Sequence, residues 1–365
     1  MDGAEGRRMN RVKRTIFWLA ALALLALDAR GAATTKLVYF DNDFIGPGQS
    51  NLNALIPLLR DPTVKLLGVG VVVGDAWVKE ETAHALRLLE IAGRTDVPVL
   101  EGAAMPLKRT QAEMRDWEAR YGRFVWKGAW NAPREGRTYH PDDPDLIPPS
   151  PAGAPTTKAA REDAVSFLVR SVREHPGEVT IIACGPLTNI ALALRSAPDV
   201  AQLAKEIVIQ GGYVDTQMAR ATGHADYAVD FNFIFDPEAA HEVLTAPWQR
   251  ITMVGDFAND VPMTTDYIDA IKRSGSPVAA YVAAYARRDQ PMWDEIAVAV
   301  ALDRSLVKRE TLLRMDVDIS GGPGYGETRV WREELAPGKG EQTVHMVRAI
   351  DVPRFLAGFA RHASQ

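Results

Sequence analysis

VYFDNDFIGPGQSNLNALIPLL, residues 38–59, reads as a strand, a sharp loop and a helix. The apolar run Leu37 to Phe40 ends in two acids one residue apart, Asp41 and Asp43. Side chains two apart on a strand share a face, so at its end both acids can turn toward one point. They repel there unless a cation or a proton lies between them. That is how a metal or phosphate site at the end of a sheet strand begins, although a turn rich in Asp and Asn has the same composition. Gly46, Pro47 and Gly48 then bend the chain, and Ser50 is suited to cap the helix that follows. Pro57 inside that helix leaves the Asn53 carbonyl without its partner, so a kink is expected there.

Outward from this stretch, strand-like runs alternate with helical patterns. KLVYF, VKLLGVGVVV, VPVLEG, VTIIACG, EIVIQGG and RITMVG are separated by amphipathic segments such as VKEETAHALRLLEIAG and LTNIALALRSAP. Uninterrupted apolar strands are buried on both faces, which predicts an α/β fold: a doubly wound, mostly parallel sheet flanked by helices. Ligands in such sheets bind at the carboxyl ends of the strands. The segments to watch are therefore Asp41 to Gly48, Gly74 to Trp77, Gly185 to Asn189 and Gly211 to Tyr213. No boundary marks a second domain after residue 34. Residues 104–160 break the rhythm and carry Trp117, Tyr121, Phe124, Trp126, Trp130 and Tyr139. They read as an insertion, either a functional lid or a surface loop held by its aromatics.

The chain has 365 residues, 24% of them charged, with a formal net charge of −5. Residues 1–31 hold six Lys/Arg and three Asp/Glu, so the remainder is more acidic than the total suggests. An acidic body argues against nucleic acid and anionic membrane surfaces as partners. Arg7, Arg8, Arg11, Lys13 and Arg14 precede the apolar run Ile16 to Leu27, which is short for a membrane span and suited to a signal-peptide core. A signal peptide over residues 1–33 is expected, hence a periplasmic or secreted protein with no stable membrane anchor; an uncleaved anchor is the alternative. The single cysteine, Cys184, excludes an intramolecular disulfide. At the end of an apolar strand with no basic neighbour in sequence, it reads as a buried inert thiol.

Three further segments could carry chemistry. In MWDEIAVAV, residues 292–300, Asp294 opens an apolar helix, where an acid suits the dipole whether or not it does anything else. CGPLTNIALAL, residues 184–194, has the form of a strand, a tight turn and a helix. DFNFIFDPEAA, residues 230–240, sets Asp230 and Asn232 two apart and Asp236 before a proline at a first helical turn.

With LRLLEIAGRTDVPVLEGAAMPL and IVIQGGY, these segments in this order resemble the inosine-uridine preferring nucleoside hydrolase family, from about Lys36 to the C-terminal region. The resemblance implies hydrolysis of the N-glycosidic bond of ribonucleosides to free base and ribose, on a doubly wound sheet that binds calcium, in a chain that commonly forms homo-oligomers. It implies that Asp43 binds the ion and activates the attacking water, that Asp41 supports the site, and that Thr188 offers its main-chain carbonyl. Asp294 matches the distal metal-binding acid. Asn232 matches an asparagine that holds the ribose hydroxyls, and Asp230 stands where a glutamate is usual.

Three departures stand out. Two acids usually open the first helix, one for calcium and one for the ribose; here they are Ser50 and Asn51, after a longer loop. Asn51 can offer one neutral oxygen, which lowers the expected calcium affinity. The asparagine usual after the second strand is Asp75, which by position could take over as a ribose or metal ligand. The histidine usual before the distal acid is Trp293, which can stack on a base but cannot shuttle a proton. With Trp77, it hints at a flat ring as leaving group. Two other readings remain open here: a nucleoside- or sugar-binding protein that has lost catalysis, and a haloacid-dehalogenase-like phosphatase, since VYFDNDF places Asp-x-Asp after an apolar strand.

Overall fold

A computed structural model describes residues 35–132, 140–214 and 230–365. The expected signal peptide and Tyr139 lie outside the described residues. Nine strands form one sheet: β1 Lys36–Asn42, β2 Val64–Val71, β3 Val99–Glu101, β4 Val179–Ala183, β5 Glu206–Gln210, β6 Ile251–Val254, β7 Val307–Val317, β8 Thr328–Trp331 and β9 Gln342–Ile350. Their order is β3-β2-β1-β4-β5-β6-β9-β7-β8. Every pair from β3 to β9 is parallel, and the hairpin β7–β8 is antiparallel. The expected doubly wound, mostly parallel sheet is the observed fold.

β1 shows why its sequence is apolar without interruption. Val38 and Phe40 join the core on one face of the sheet, while Leu37 and Tyr39 join the core on the other. Alternation along the strand serves two cores, so no position is left for a polar residue until the strand ends. Among the helices, Leu55–Arg60, Val78–Ile91, Trp293–Leu302 and Val352–Ala363 contribute to the first core. Ala164–Glu174, Thr188–Ser196 and Pro237–Thr245 contribute to the second. The strand order reverses at β1 and β4, which are neighbours although far apart in sequence. A crevice at the carboxyl ends of two such strands is the usual ligand position in this architecture.

The interruption expected at Pro57 is present: one short helix spans Ser50–Asn53 and the next Leu55–Arg60. Ser50, however, is the first helical residue rather than the cap, and the cap position is occupied by Gln49 without a side-chain bond. Ser50 is drawn elsewhere, as described below. Within 104–160, where no clear period was legible, Gln111–Tyr121 forms a helix closed by a Thr110/Glu113 capping box. Only Met114 of that helix is buried, so its amphipathic signal is weak.

Asp236 ties this segment to the rest. It caps Pro237–Thr245 through the Ala239 N–H and also accepts from the Thr188 hydroxyl at 2.7 Å and the Leu107 N–H at 2.8 Å. Burial raises its carboxyl to about 6, against the pull of those three donors. Asp236→Ala removes a cap and strands two donors, an expected loss of about 2–3 kcal/mol. Urea denaturation of the variant checks this; a loss under about 0.5 kcal/mol would mean that water replaces the carboxylate.

Candidate active site

Asp41 lies opposite Gly70 of β2 and Ala183 of β4. A Cβ at Gly70 would collide with the Tyr39 hydroxyl and the Asp41 carboxylate, so that glycine makes the space they occupy. Asp41 Oδ2 accepts from the Tyr39 hydroxyl and from Asn189 Nδ2, each at 3.0 Å. Its Oδ1 is buried with no hydrogen-bond partner. Burial raises the Asp41 carboxyl to about 6, with the Asn189 and Tyr39 bonds acting in the opposite direction.

Asp43 sits just past the strand in a slot made by two more glycines. A Cβ at Gly74 would collide with its carboxylate. A Cβ at Gly185 would stand 2.8 Å from its backbone nitrogen and 3.0 Å from Oδ1. The loops after β2 and β4 thus close on Asp43 only because both carry glycine. Its Oδ2 accepts the Asp75 N–H at 2.8 Å, and its own N–H is held by Asn42 Oδ1 at 2.9 Å. Its pKa is raised well above the ordinary carboxylate value, first by burial and then by the charges of Asp75 and Asp294.

The far wall is the start of the helix Trp293–Leu302. Asp294 Oδ2 accepts from Asn42 Nδ2 at 3.0 Å, which links the distal acid to the residue between the two proximal ones. Asp294 is buried, and burial is the first cause of its raised pKa. Ser50 crosses to this helix: its hydroxyl donates to Glu295 Oε2 at 2.5 Å and accepts the Asp294 N–H at 3.1 Å. Asn51 Nδ2 donates to the Asp43 carbonyl and, at 3.1 Å, to Asp75 Oδ2, while its Oδ1 is buried without a partner. Asp75 is half-buried and receives the Trp126 indole N–H on its other oxygen.

The remaining sequence candidates fall around these. Asp230 caps the helix Phe231–Phe235, and a Cβ at Gly211 would stand 2.9 Å from its Oδ1. Burial raises its carboxyl to about 7. Asn232 Nδ2 donates to the Cys184 carbonyl at 2.9 Å and Gln210 Oε1 at 3.0 Å. Thr188 opens its helix with the hydroxyl committed to Asp236. The Trp293 indole donates to Asn259 Oδ1 at 2.6 Å, so its N–H is engaged and the half-buried ring remains for contacts. The Trp77 indole N–H goes to the His140 carbonyl. Trp77 lines a cleft of about 470 Å³ with Ile45, Gln49, Glu80, His140 and Tyr285, beside the catalytic-loop candidate rather than over its acids. Cys184 is free, buried and pushed well up by burial, in keeping with an inert thiol.

A cation would find only oxygen donors here. Asp41, Asp43 and Asp294 have no lysine or arginine partner among the described residues, and two buried oxygens, Asp41 Oδ1 and Asn51 Oδ1, are unpartnered. Buried carboxylates without a counter-charge suit a hard ion. Among the described residues no three His, Cys, Asp or Glu side chains converge as a ready-made chelate. Asp43, Asp294 and Asn51 Oδ1 would therefore need backbone, water or ligand oxygens to complete a shell.

Several site residues were not singled out from sequence. Asn189 bonds Asp41, the Val71 carbonyl and the Ala103 N–H, so one amide holds the ends of three strands together. Asn42 joins Asp43 to Asp294. Glu81 is fully buried, accepts the Ala76 N–H at 2.8 Å, and has its pKa raised by burial and then by Asp43. The only local signal for Asn42 was its place between two acids, and for Asn189 its place after a strand and tight turn; Glu81 had none beyond a charge in a helix.

A sequence model described as inosine-uridine preferring nucleoside hydrolase matches residues 38–357. The uncharacterized protein C800.11 of Schizosaccharomyces pombe is 31% identical over 360 residues, 92% of this chain and 88% of that one. Uridine nucleosidase 1 of Arabidopsis thaliana is 36% identical over 209 residues, 57% of this chain and 54% of that one. In fold, the chain is similar to the plant nucleoside hydrolase PpNRh1, with a TM-score of 0.69, 24% identity, and 90% and 99% of the two chains covered.

Proposed function

The chain belongs to the inosine-uridine preferring nucleoside hydrolase family of N-glycosyl hydrolases, and from that premise we propose that it cleaves ribonucleosides to free base and ribose with Asp43 as general base. The observation that carries this reading is the seating of Asp43. Its carboxylate is fixed by the Asp75 N–H and walled by Gly74 and Gly185 just past the end of β1. A base of that kind can take a proton from water as the water oxygen attacks the anomeric carbon and the bond to the nucleobase breaks, the departing nitrogen keeping the electron pair and taking a proton from solvent. Positive charge develops on the sugar, and the acidic surroundings of Asp43, Asp294, Asp75 and Asp230 favour it. Asp230 and Asn232 are our candidates for the ribose hydroxyls, with Asp75 in reach of the same sugar. Ser50, which by position stands where an acid usually grips the ribose, is better read as a brace between the loop and the distal helix, since its hydroxyl serves Asp294 and Glu295.

We assign the ion as calcium, held by Asp43, Asp294, Asn51 Oδ1 and the Thr188 carbonyl, with Asp41 in support. When bound, it would lower the pKa of the attacking water and anchor the sugar diol. Export to the periplasm or medium and assembly into a homo-oligomer belong to the same proposal. The phosphatase reading loses its basis with the family assignment.

The test is incubation of the pure protein with a panel of nucleosides, with reducing sugar as readout. Release of ribose from at least one nucleoside is expected. A nucleoside that binds in calorimetry and yields no product would favour the binding-protein reading, for which Asn51 in place of an acid is the specific motive.

A further inference from the structure

Trp117, Tyr121, Phe124, Trp126 and Trp130 all belong to the segment between β3 and β4, and one of them reaches the candidate site. Trp117 stacks on Phe124 at 4.5 Å and 14°, lies against Tyr121, and donates its N–H to the Gly322 carbonyl near the β7–β8 hairpin. Trp130 is buried and stacks on Phe235 at 4.4 Å. Trp126 instead donates its N–H to Asp75 Oδ1 and meets the ring of Phe231 edge to face at 6.4 Å and 68°. Phe231 stands between Asp230 and Asn232 in the chain and packs on Phe235 at 5.4 Å. The aromatic column thus runs from buried Trp130 and Phe235 to half-buried Phe231 and Trp126, where Asp75 accepts the Trp126 N–H and Asp230 precedes Phe231 in the chain.

Backbone packing fixes the indole's position. The Ala129 N–H donates to the Gly74 carbonyl at 2.8 Å. A Cβ at Gly128 would collide with that same carbonyl and stand 2.6 Å from Phe231, and Gly128 has a φ of 52°. Only glycine lets residues 126–129 lie this close to the turn that carries Asp75. The chain of contacts then runs inward: indole N–H to the Asp75 carboxylate, and Asp75 N–H to the Asp43 carboxylate.

We infer that Trp126 is a positioning and specificity residue of the site, orienting Asp75 through its N–H and offering its ring as a wall for the planar heteroaromatic base. This rests on the nucleoside-hydrolysis reading above. An indole N–H on a carboxylate is a charge-assisted bond, and the ring presents an electron-rich face and a positive edge to a flat partner.

Trp126→Phe separates the two roles, because it keeps a ring and removes the donor. With uridine and inosine as substrates, kcat is expected to fall about tenfold with KM within about twofold, the equivalent of one lost hydrogen bond. Trp126→Ala is expected to raise KM as well, by about three- to tenfold from lost stacking, and more for inosine with its larger base. Trp117→Phe, which loses an indole N–H elsewhere in the same segment, is the control and should leave kcat and KM unchanged. Wild-type kinetics in both Trp126 variants, or an equal loss in Trp117→Phe, would overturn the inference. Calorimetric binding of the two nucleosides keeps it distinct from its premise. If the wild type binds but does not cleave, and Trp126→Ala weakens binding several-fold, hydrolysis fails and the base wall stands. If Trp126→Ala binds as the wild type does, or the wild type binds neither nucleoside, the inference falls.

Discussion

Asp43→Asn is expected to lower kcat on a cleaved nucleoside by about a thousandfold while leaving the protein at least as heat-stable as before. The two halves of that result come from one fact, the burial of a charge that chemistry needs and folding does not. Asparagine has the same shape, so Gly74 and Gly185 still accommodate it, and its oxygen can still accept the Asp75 N–H that now meets Oδ2 at 2.8 Å. The base is lost because a neutral amide cannot take a proton from water. The destabilising term is lost too, since burial and the charges of Asp75 and Asp294 all oppose ionisation of Asp43. Measured kcat and thermal midpoint check both halves. Retention of activity would remove Asp43 as the base. A collapse in stability would show that the carboxylate is needed by the fold, by way of contacts that asparagine cannot make.

Removal of divalent ions is expected to lower activity by at least about a hundredfold, with recovery on adding calcium. It should also expose a characteristic pH dependence of stability. The Asp41 carboxyl is raised to about 6 and that of Asp230 to about 7, both mainly by burial. A folded-state pKa above the unfolded value means that the folded protein holds the proton more tightly. Each group's contribution to stability is then full below its unfolded pKa, near 3.8, and is lost as pH rises through the folded one. The chelated protein should therefore melt lower at pH 8 than at pH 5, with a slope of up to about 1.4 kcal/mol per pH unit for each group that ionises. Calcium should flatten the part of that slope that comes from Asp41, beside the proposed ion, and leave the part from Asp230. A midpoint that rises across this window without calcium would show that the acids are already compensated by some other charge. Activity indifferent to chelation would remove the ion from the mechanism.

Parts of the site were legible because their signals are local. Asp41 and Asp43 announce themselves by spacing at the end of an apolar strand, and Asp236 by preceding a proline at a helix start. Strand type was legible at β1 for the same reason, since a run apolar at every position must face two cores. Ser50 was misread because a cap is a local rule and its hydroxyl was claimed by a non-local partner, Glu295, 245 residues away in the chain. Asn189 closes a segment marked by its place after a strand, but nothing around it in sequence shows that its amide meets Asp41, Val71 and Ala103. Among six aromatics in one segment, sequence had no means of preferring Trp126. Its distinction is a hydrogen bond to a residue 51 positions earlier and a glycine contact that clears its way.

Asp294 entered only through the family resemblance; by itself the sequence determined a parallel α/β sheet and marked the strand end that carries the paired acids Asp41 and Asp43. Backbone periodicity and the rarity of paired acids beside buried strands suffice for that. Tertiary structure decided what each acid faces: Asn42 joined to Asp294, Asn51 turned to Asp75, and Asp75 held in turn by Trp126. The Asn51–Asp75 contact joins the loops after β1 and β2, which the strand order sets side by side, while Asp294 comes from the helix Trp293–Leu302 and Trp126 from the segment after β3. These contacts depend on glycines whose missing side chains leave the space. Hydrogen bonds are directional and short in range, so which donors reach a buried carboxylate is a property of the assembled sheet and of no single segment.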